Sequence, residues 1–127
     1  MKEVKFYRCN HCGNIVEKII DSKVPVVCCG EKMTELVPNT SDGAGEKHVP
    51  VVEINGNKVV VRVGEVDHPM IPAHYIQWVY VVTTEKVMRK DLTSDNAPRA
   101  EFVLDENEKV VEVYEYCNLH GLWKTVL

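Results

Sequence analysis

The segment EYCNLHG, residues 115–121, places Cys117 and His120 three residues apart, with Gly121 directly after the histidine. Thiolates and imidazoles are common metal ligands in proteins, so this pair can offer two ligand atoms to one metal ion. The segment ends a run of residues that otherwise has the pattern of a β-strand. Cys117 is therefore either an inert buried thiol or one member of a metal site whose other ligands come from elsewhere in the chain.

The other four cysteines lie within the first thirty residues: Cys9 and Cys12 in CNHCG, and the adjacent pair Cys28 and Cys29. The Cys-x-x-Cys spacing is typical of a metal knuckle, in which a tight turn directs two thiolates to one point. Adjacent Cα atoms are about 3.8 Å apart, roughly the separation of two thiolates on one tetrahedral metal, so the second pair can also share it. These four residues predict a four-thiolate zinc or iron site, with a vicinal disulfide or reduced structural thiols as alternatives. His11, inside the knuckle, is then surplus and is expected in a solvated loop.

The four remaining histidines lie at the ends of β-like segments, in EKHVP, DHPM, PAHYI and NLHG. A lone histidine is more often a structural or surface residue than a ligand. Four of them in a small domain, together with one cysteine, favour a shared metal site instead. Four imidazoles and one thiolate make a five-coordinate set, which suits redox-active iron or copper better than closed tetrahedral zinc. Such a centre keeps a sixth position open to a small molecule. The candidate ligands are His48, His68, His74, Cys117 and His120.

Seven short β-like segments follow one another from residue 49 onwards. β-Branched and aromatic residues dominate them, and no segment has convincing helical spacing. Asn55-Gly56-Asn57, between the first two, predicts a tight hairpin. Seven short strands with frequent turns predict an immunoglobulin-like β-sandwich, with a small barrel as the alternative. The segments are VPVVEI, KVVVRV, YIQWVYVV, KVMRKDL, AEFVL, KVVEVYEYC and LWKTVL.

Alternation along two of these segments predicts which side chains share a face, because successive residues of a strand point to opposite sides. In the third segment the predicted face is Ile76, Trp78, Tyr80 and Val82. In the sixth it is Val111, Val113 and Cys117.

The distribution of residue types along the chain divides it into three parts. Residues 1–37 are cysteine-dense and too few to bury much core, so a metal site is expected to hold them together. Residues 38–47 are turn-rich and polar and predict a linker. Residues 48–127 contain the β-like segments. The predicted fold is mainly β, with a small metal-stabilised N-terminal domain before the seven-stranded sandwich.

Composition narrows the class of protein and its partners. The 127 residues include 15 basic and 19 acidic side chains, and this balance argues against a nucleic-acid partner. No apolar run approaches membrane-spanning length, and the N-terminal residues MKEVKFYRCN lack the apolar stretch of a signal peptide. We therefore expect no membrane association and a cytoplasmic location, where thiols stay reduced.

Six stretches together resemble desulfoferrodoxin, the two-iron form of superoxide reductase: YRCNHCGNIVE, VCCGEKM, EKHVPV, HPM, HYIQW and EYCNLHGLWK. They fall in order and span nearly the whole chain. The resemblance implies a desulforedoxin-like N-terminal domain that holds one iron, and an immunoglobulin-like domain that holds the catalytic iron. The first iron would be bound by Cys9, Cys12, Cys28 and Cys29. The second would have His48, His68, His74 and His120 as equatorial ligands and Cys117 as the axial ligand.

The resemblance also implies roles for the charged pair before His48. Lys47 would lie by the open position, and Glu46 would occupy that position in the oxidised resting state; without the resemblance both are ordinary exposed loop charges. The implied reaction is one-electron reduction of superoxide to hydrogen peroxide without oxygen evolution, with a rubredoxin-like electron donor and a homodimeric assembly. The alternative is a non-enzymatic electron carrier, which requires a closed second site or one built around zinc.

Overall fold

A computed structural model of the chain describes residues 3–41 and 43–127, which divide after Val37 into two compact units. The first two residues of the predicted N-terminal domain, and Asp42 of the predicted linker, lie outside the described residues. Nowhere in the described ranges is there a helix with the length and apolar character needed to cross a membrane.

The N-terminal unit consists of five short strands and buries few apolar side chains. Its three-stranded sheet has the order β2-β1-β5, and β3 and β4 form a separate hairpin. Phe6, Cys9 and Met33 are the buried apolar residues in the described part of this unit. A core of this size gives little stability by itself, as expected for a domain that depends on a metal site. The strands are β1 (Phe6–Arg8), β2 (Ile15–Glu17), β3 (Val27–Cys28), β4 (Glu31–Lys32) and β5 (Thr34–Glu35).

The C-terminal unit is a sandwich of a three-stranded and a four-stranded antiparallel sheet, which confirms the predicted fold. The sheet orders are β10-β7-β6 and β12-β11-β8-β9. The predicted hairpin is also confirmed, because Asn55 pairs with Lys58 across Gly56 and Asn57. The strands are β6 (Pro50–Asn55), β7 (Lys58–Val63), β8 (Ile76–Thr83), β9 (Val87–Asp91), β10 (Arg99–Val103), β11 (Val110–Cys117) and β12 (Gly121–Val126).

The core lies between the two sheets and consists largely of valine. One face of β7 meets β8 and β11, so that small β-branched side chains fill the layer. The members that are completely buried include Val59, Val61 and Val63 from β7, Val79 and Val81 from β8, and Val113 and Cys117 from β11.

The prediction that Ile76 shares a face of β8 with Trp78 and Tyr80 is wrong. Ile76 belongs to the core with Val79 and Val81, whereas Trp78 and Tyr80 lie outside that core cluster. A register shift of β11 against β8, between Tyr116 and Cys117, changes which residues point inward. Such a bulge reverses the alternation locally, and a sequence pattern of period two cannot reveal it.

The predicted face of β11 is wrong at Val111 for the same reason. A second register shift lies between Val110 and Glu112, and Val110 takes the core position. Val113 and Cys117 do share the core face, as predicted.

One helical turn, α1 (Gly45–His48), begins in the segment predicted as a linker and ends at His48, the first residue of the predicted sandwich domain. The Val49 amide donates to the Gly45 carbonyl at 2.9 Å and the Lys47 amide donates to the Ala44 carbonyl at 3.0 Å. A single turn is too short to show helical periodicity, so the sequence pattern gave no indication of it.

A buried carboxylate ties two turns together at one end of the sandwich. Glu108 Oε1 accepts the Asp105 amide at 2.7 Å and the Lys86 ammonium at 2.9 Å, and Oε2 accepts the Thr83 hydroxyl. The Thr83 hydroxyl and the Asp105 amide are the main causes that lower the pKa of Glu108 to about 2. Thr83 and Lys86 flank the β8–β9 turn, so the connection from β10 to β11 is fastened to the neighbouring turn.

We predict that Glu108→Gln lowers the unfolding temperature at pH 7, because the amide cannot receive the Lys86 charge and offers one acceptor oxygen where the carboxylate offers two. The folded-state pKa is depressed, so this contribution to stability is present above the ordinary glutamate pKa and is lost as the pH falls through about 2. The difference between wild type and variant should therefore shrink as the pH is lowered from about 5 towards 2.

Calorimetry of metal-free protein across this pH range measures the effect without metal loss as a complication. Glu106→Gln is the matched control, since Glu106 is exposed and lies in the same turn. A pH-independent difference, or the same difference for both variants, would contradict the role given to Glu108.

Candidate metal centres

The four N-terminal cysteines converge on one point. Their sulfur atoms all lie within 4.8 Å of one another. Cys12 Sγ is 3.6 Å from Cys28 Sγ, and Cys28 Sγ is 3.9 Å from Cys29 Sγ, close to the roughly 3.8 Å edge of a tetrahedron of thiolates about one metal ion. A disulfide has sulfur atoms about 2.05 Å apart, so the adjacent pair is not a vicinal disulfide, and all five cysteines are free.

Two tight turns present these sulfur atoms. The first is closed by the Gly13 amide, which donates to the Cys9 carbonyl at 2.9 Å. In the second, Cys29 has a φ of +53°, which is uncommon for a residue with a side chain. Neighbouring residues of an extended strand point to opposite sides, so this left-handed conformation lets Cys28 and Cys29 share one site.

The thiols of this site differ widely in pKa, because they accept and donate different hydrogen bonds within the cluster. The Cys12 amide donates to the Cys9 sulfur, which is the main cause that lowers the pKa of Cys9 to about 6. Hydrogen bonding to the Cys9 and Cys12 sulfurs raises the pKa of Cys29 to about 12. A metal ion that displaces these protons converts the cluster into four thiolate ligands.

Strand register brings the second ligand set to one end of the C-terminal sandwich. In the three-stranded sheet Pro50 pairs with Val63, so His48 before β6 and His68 after β7 lie at the same end. In the four-stranded sheet Cys117 pairs with both Ile76 and Gly121. That pairing places His74, Cys117 and His120 together, and both sheets contribute to one site.

The four imidazole rings form a closed cycle in the order His48, His68, His74, His120. Adjacent ring centroids are 4.6, 4.6, 5.0 and 4.8 Å apart, and the interplanar angles lie between 73° and 84°. With Cys117 Sγ, all five donor atoms lie within 4.8 Å of one another. Cys117 Sγ is 3.9 Å from His120 Nδ1. Four nitrogens in a cycle with one sulfur beside them match the predicted five-donor set.

Backbone carbonyls fix which nitrogen of two histidines is free to bind a metal. His48 Nδ1 donates to the Ala44 carbonyl and His68 Nδ1 donates to the Pro69 carbonyl, each at 2.7 Å. A carbonyl only accepts, so each Nδ1 carries the proton and each Nε2 of the neutral ring carries a lone pair. These second hydrogen bonds orient metal-binding imidazoles in many proteins.

The two Nε2 atoms of His48 and His68 face each other at 3.1 Å, and His120 Nδ1 is 3.1 Å from His48 Nε2. Two nitrogen lone pairs at this distance repel unless a cation lies between them. Neighbouring nitrogens about 2.1 Å from one metal ion are roughly 3.0 Å apart, which agrees with these separations. His74 Nε2 is buried and has no hydrogen-bond partner among the described residues. The residues therefore fit a metal ion bound by this set.

Burial keeps these imidazoles neutral. It is the largest cause that lowers the pKa of His48, His68 and His74, and it lowers the pKa of His68 to about 4. At neutral pH such histidines offer lone pairs and not charge.

Two residues that the sequence analysis did not single out hold the loops of this site in place. Asn118 brackets His74: its Oδ1 accepts the Tyr75 amide at 2.9 Å and its Nδ2 donates to the Ala73 carbonyl at 3.0 Å. Trp123 stacks on His48 with a centroid distance of 4.9 Å, and its indole nitrogen donates to the His120 carbonyl at 3.0 Å. Both lie in the segment EYCNLHGLWK, so their closeness in sequence to Cys117 and His120 was the signal that could have indicated a role at this site.

Glu115 is a third residue that sequence reasoning missed. Its carboxyl is completely buried, and neither oxygen has a hydrogen-bond partner in the described part of the chain. Burial raises its pKa well above the ordinary value. A glutamate in a β-strand normally faces solvent, so nothing in the pattern indicated this position.

The remaining predicted residues lie at the surface. His11 is exposed and lies 3.1 Å from a Glu31 oxygen, as expected for a loop residue that is not a ligand. Glu46 is exposed and Lys47 is partly buried, both in α1 directly before His48.

Family models cover almost the whole chain. The model described as the desulfoferrodoxin N-terminal domain matches residues 1–36, and the desulfoferrodoxin model matches residues 40–126. A desulfoferrodoxin homolog from Archaeoglobus fulgidus is 45% identical over 126 residues, which is 98% of this chain and 99% of that protein. Desulfoferrodoxin from Nitratidesulfovibrio vulgaris is 46% identical over 122 residues, or 96% of this chain and 95% of that protein.

One solved structure covers both units. The superoxide reductase from Treponema pallidum superposes with a TM-score of 0.82 at 39% identity and covers 98% of this chain and 99% of its own. The one-iron superoxide reductase from Giardia intestinalis covers 65% of this chain and 97% of its own, with a TM-score of 0.56 and 32% identity.

The two ligand sets share no residue, so we predict that each metal can be removed without the other. Cys12→Ser should lose the N-terminal metal and keep the second, because a serine hydroxyl does not replace a thiolate. Cys117→Ser should abolish the sulfur-to-metal charge transfer of the second centre and leave the N-terminal centre unchanged, since it removes the one sulfur of the second set. Metal analysis of iron-loaded Cys12→Ser should show a fall from about two ions per chain to about one.

The visible spectra of both variants complete the measurement. Loss of the second centre's spectrum in folded Cys12→Ser, or an unchanged second-centre spectrum in Cys117→Ser, would contradict this assignment.

Proposed function

The chain belongs to the desulfoferrodoxin family, and from that membership and the geometry of its sites we propose that it is a superoxide reductase. Superoxide, one electron and two protons become hydrogen peroxide, and no dioxygen is released. Ferrous iron, when held by the four histidines and Cys117, supplies the electron. The observation that carries the proposal is the convergence of four imidazole nitrogens and one sulfur on one point. Cys9, Cys12, Cys28 and Cys29 hold a second iron.

The donor set favours an anionic substrate. An imidazole that binds a metal through its lone pair brings no charge, and Cys117 contributes one negative charge when it is a thiolate. With a divalent cation the site keeps a net charge of about +1, although the chain as a whole has a formal charge of −4. The local field at a site, and not the net charge of the protein, attracts a small anion.

Lys47 adds to this local field. Burial is the main cause of the lowered pKa of His74, and the charge of Lys47 lowers it further; Lys47 acts in the same direction on His48. The ammonium charge is therefore felt at two of the four rings. We assign Lys47 the role of attracting superoxide to the open position and of ordering the water that delivers protons to the product.

Glu46 precedes Lys47 in the same helical turn and is exposed. A carboxylate there is a candidate sixth ligand once the site is oxidised and no substrate is bound. Such a carboxylate would have to give way to superoxide, so Glu46 and Lys47 would act at the same place at different stages of the cycle.

The two units would have separate tasks. Residues 1–37 would hold the four-thiolate iron, and residues 48–127, together with Glu46 and Lys47 at the end of the proposed linker 38–47, would carry out the reduction. A rubredoxin-like protein would restore the reduced state, since each turnover consumes one electron. All five cysteines are free thiols, in keeping with a cytoplasmic location.

We also propose that the chain forms a homodimer. The N-terminal unit leaves Ile19, Ile20, Val24 and Val27 at least 61% exposed. Single exposed aliphatic side chains are normal, but four of them between residues 19 and 27 favour an interaction surface. Sedimentation equilibrium should give twice the 14.4 kDa mass of the chain, and a monomer would contradict this assembly.

Anaerobic addition of superoxide to the fully reduced protein tests the proposed activity. A reductase forms one peroxide for each superoxide consumed and releases no dioxygen. A dismutase releases dioxygen with half the peroxide, and an electron carrier with a closed second site does not consume superoxide at that site. Dioxygen release, or no reaction at the second site, would overturn the proposal.

We predict that Lys47→Ile slows the bimolecular reaction with superoxide by one to two decades, which corresponds to roughly 1.4–2.8 kcal/mol in the barrier. Iron content and fold should be unchanged, because Lys47 is not a ligand. The Coulomb attraction of an ammonium group is screened by salt, with a Debye length of about 8 Å at physiological ionic strength. The wild-type rate should therefore fall with added salt more steeply than the variant's rate.

Pulse radiolysis across a salt series measures both effects. Lys109→Ile is the matched control: it removes the same charge from an exposed position beside β11's first residue, at the end of the strand opposite Cys117. If Lys47→Ile and Lys109→Ile have the same rates and salt slopes, Lys47 is an ordinary surface charge.

A further inference from the structure

Gly64 lies where no side chain fits. It directly follows β7, is buried, and has a φ of +85°. A Cβ atom built on it would lie 2.6 Å from the Glu46 carbonyl oxygen and 2.6 Å from both Cα and the carbonyl carbon of Lys47. These are backbone atoms, which cannot rotate away as the end of a long side chain can. The bare backbone of Gly64 is therefore in direct contact with the Glu46–Lys47 peptide.

The peptide that rests on Gly64 belongs to the turn that carries the charged pair. The Val66 amide, two residues beyond Gly64, donates to the Glu46 carbonyl at 2.9 Å. On its other side the turn ends in His48, whose ring is held by the Ala44 carbonyl at 2.7 Å. The loop after β7 thus packs against α1 and donates a hydrogen bond to it. The position of α1 in turn fixes the backbone from which the Lys47 and Glu46 side chains extend.

We propose that Gly64 is a positioning residue for superoxide reduction, because its lack of a side chain sets how close the Glu46–Lys47 turn lies to the four imidazoles. The inference rests on the proposed function of Lys47. Any L-side chain at Gly64 would push the turn outward and move the ammonium group away from the approaching anion. Misplacement of a substrate-directing group by about 1 Å can cost as much as a hundredfold in rate.

A purely conformational explanation is that glycine is needed only for the positive φ at the end of β7. Gly56 separates the two explanations. It lies at the other end of the same strand, has a φ of +62°, and a Cβ atom there would have nothing within 4 Å. Alanine at either position imposes the left-handed backbone penalty, but only Gly64→Ala adds the collision with the Glu46–Lys47 peptide.

The experiment compares Gly64→Ala and Gly56→Ala in the iron-loaded protein. Gly64→Ala should react with superoxide about tenfold more slowly than wild type and show a weaker salt dependence, whereas Gly56→Ala should stay within about twofold of wild type. Hydrogen exchange of the peptide that contains Val66 should accelerate in Gly64→Ala alone, since the hydrogen bond to Glu46 is lost. Equal rates and equal exchange in the two variants would overturn the proposal.

The double variant Gly64→Ala/Lys47→Ile tests whether Gly64 acts through Lys47. Once Lys47 is gone, Gly64→Ala should slow the reaction no further; a full additional loss would overturn the proposal. If Gly64→Ala does not bind the second iron, hydrogen exchange at Val66 is compared in the metal-free forms of Gly64→Ala and Gly56→Ala. Faster exchange in Gly64→Ala alone supports the proposal, and equal exchange in both overturns it. If wild type itself produces no peroxide, the proposed activity fails, and the exchange comparison still decides whether Gly64 positions the turn.

Discussion

Two unprotonated imidazole nitrogens that face each other at 3.1 Å repel, and the metal-binding end of the C-terminal unit depends on how that repulsion is relieved. The Ala44 and Pro69 carbonyls hold the protons on the far sides of His48 and His68, so neither ring can relieve the contact by donating. A cation converts the repulsion into bonding, and its binding free energy adds to the stability of the folded state. The sandwich has a valine core of its own, whereas the N-terminal unit has little to hold it together besides its four sulfurs.

The donor atoms differ in how firmly the fold holds them. Cys117 is the last residue of β11 and part of the core, so the sulfur has the rigidity of the sheet. The histidines lie in loops and depend on hydrogen bonds from elsewhere in the chain, such as those of Asn118 around His74. A rigid frame with adjustable loops at one end is the usual way in which a sandwich supports a site. Here the sulfur is the fixed point from which the imidazoles are arranged.

Much of this architecture could be predicted from residue types and spacing. The seven strands, the hairpin at Gly56 and the two groups of candidate ligands are all visible in the sequence, because each depends on local chemistry. The parts that escaped prediction depend on long-range register. An extra residue in β8, opposite Tyr116 and Cys117, brings Ile76 into the core, and no local pattern specifies it.

Glu115 and Gly64 were missed for a related reason. A glutamate in a strand and a glycine after one are both common in exposed positions, and only the packing of distant segments shows that these two are buried. Their environments are set by residues far away in the sequence. A single sequence contains no record of those neighbours.

Because of the order of the ligands along the chain, the two ligand sets are completed at different times during synthesis. Cys29 completes the first set, while Cys117 and His120 follow roughly ninety residues later, which takes on the order of 5–20 s at ordinary rates of synthesis. During that interval His48, His68 and His74 have left the ribosome without their sulfur partner, and the β11–β12 pairing that places Cys117 does not yet exist. The first unit can take up its metal while the chain is still being made. The reactive centre cannot be completed until the last hairpin has closed, because that hairpin carries Cys117 and His120.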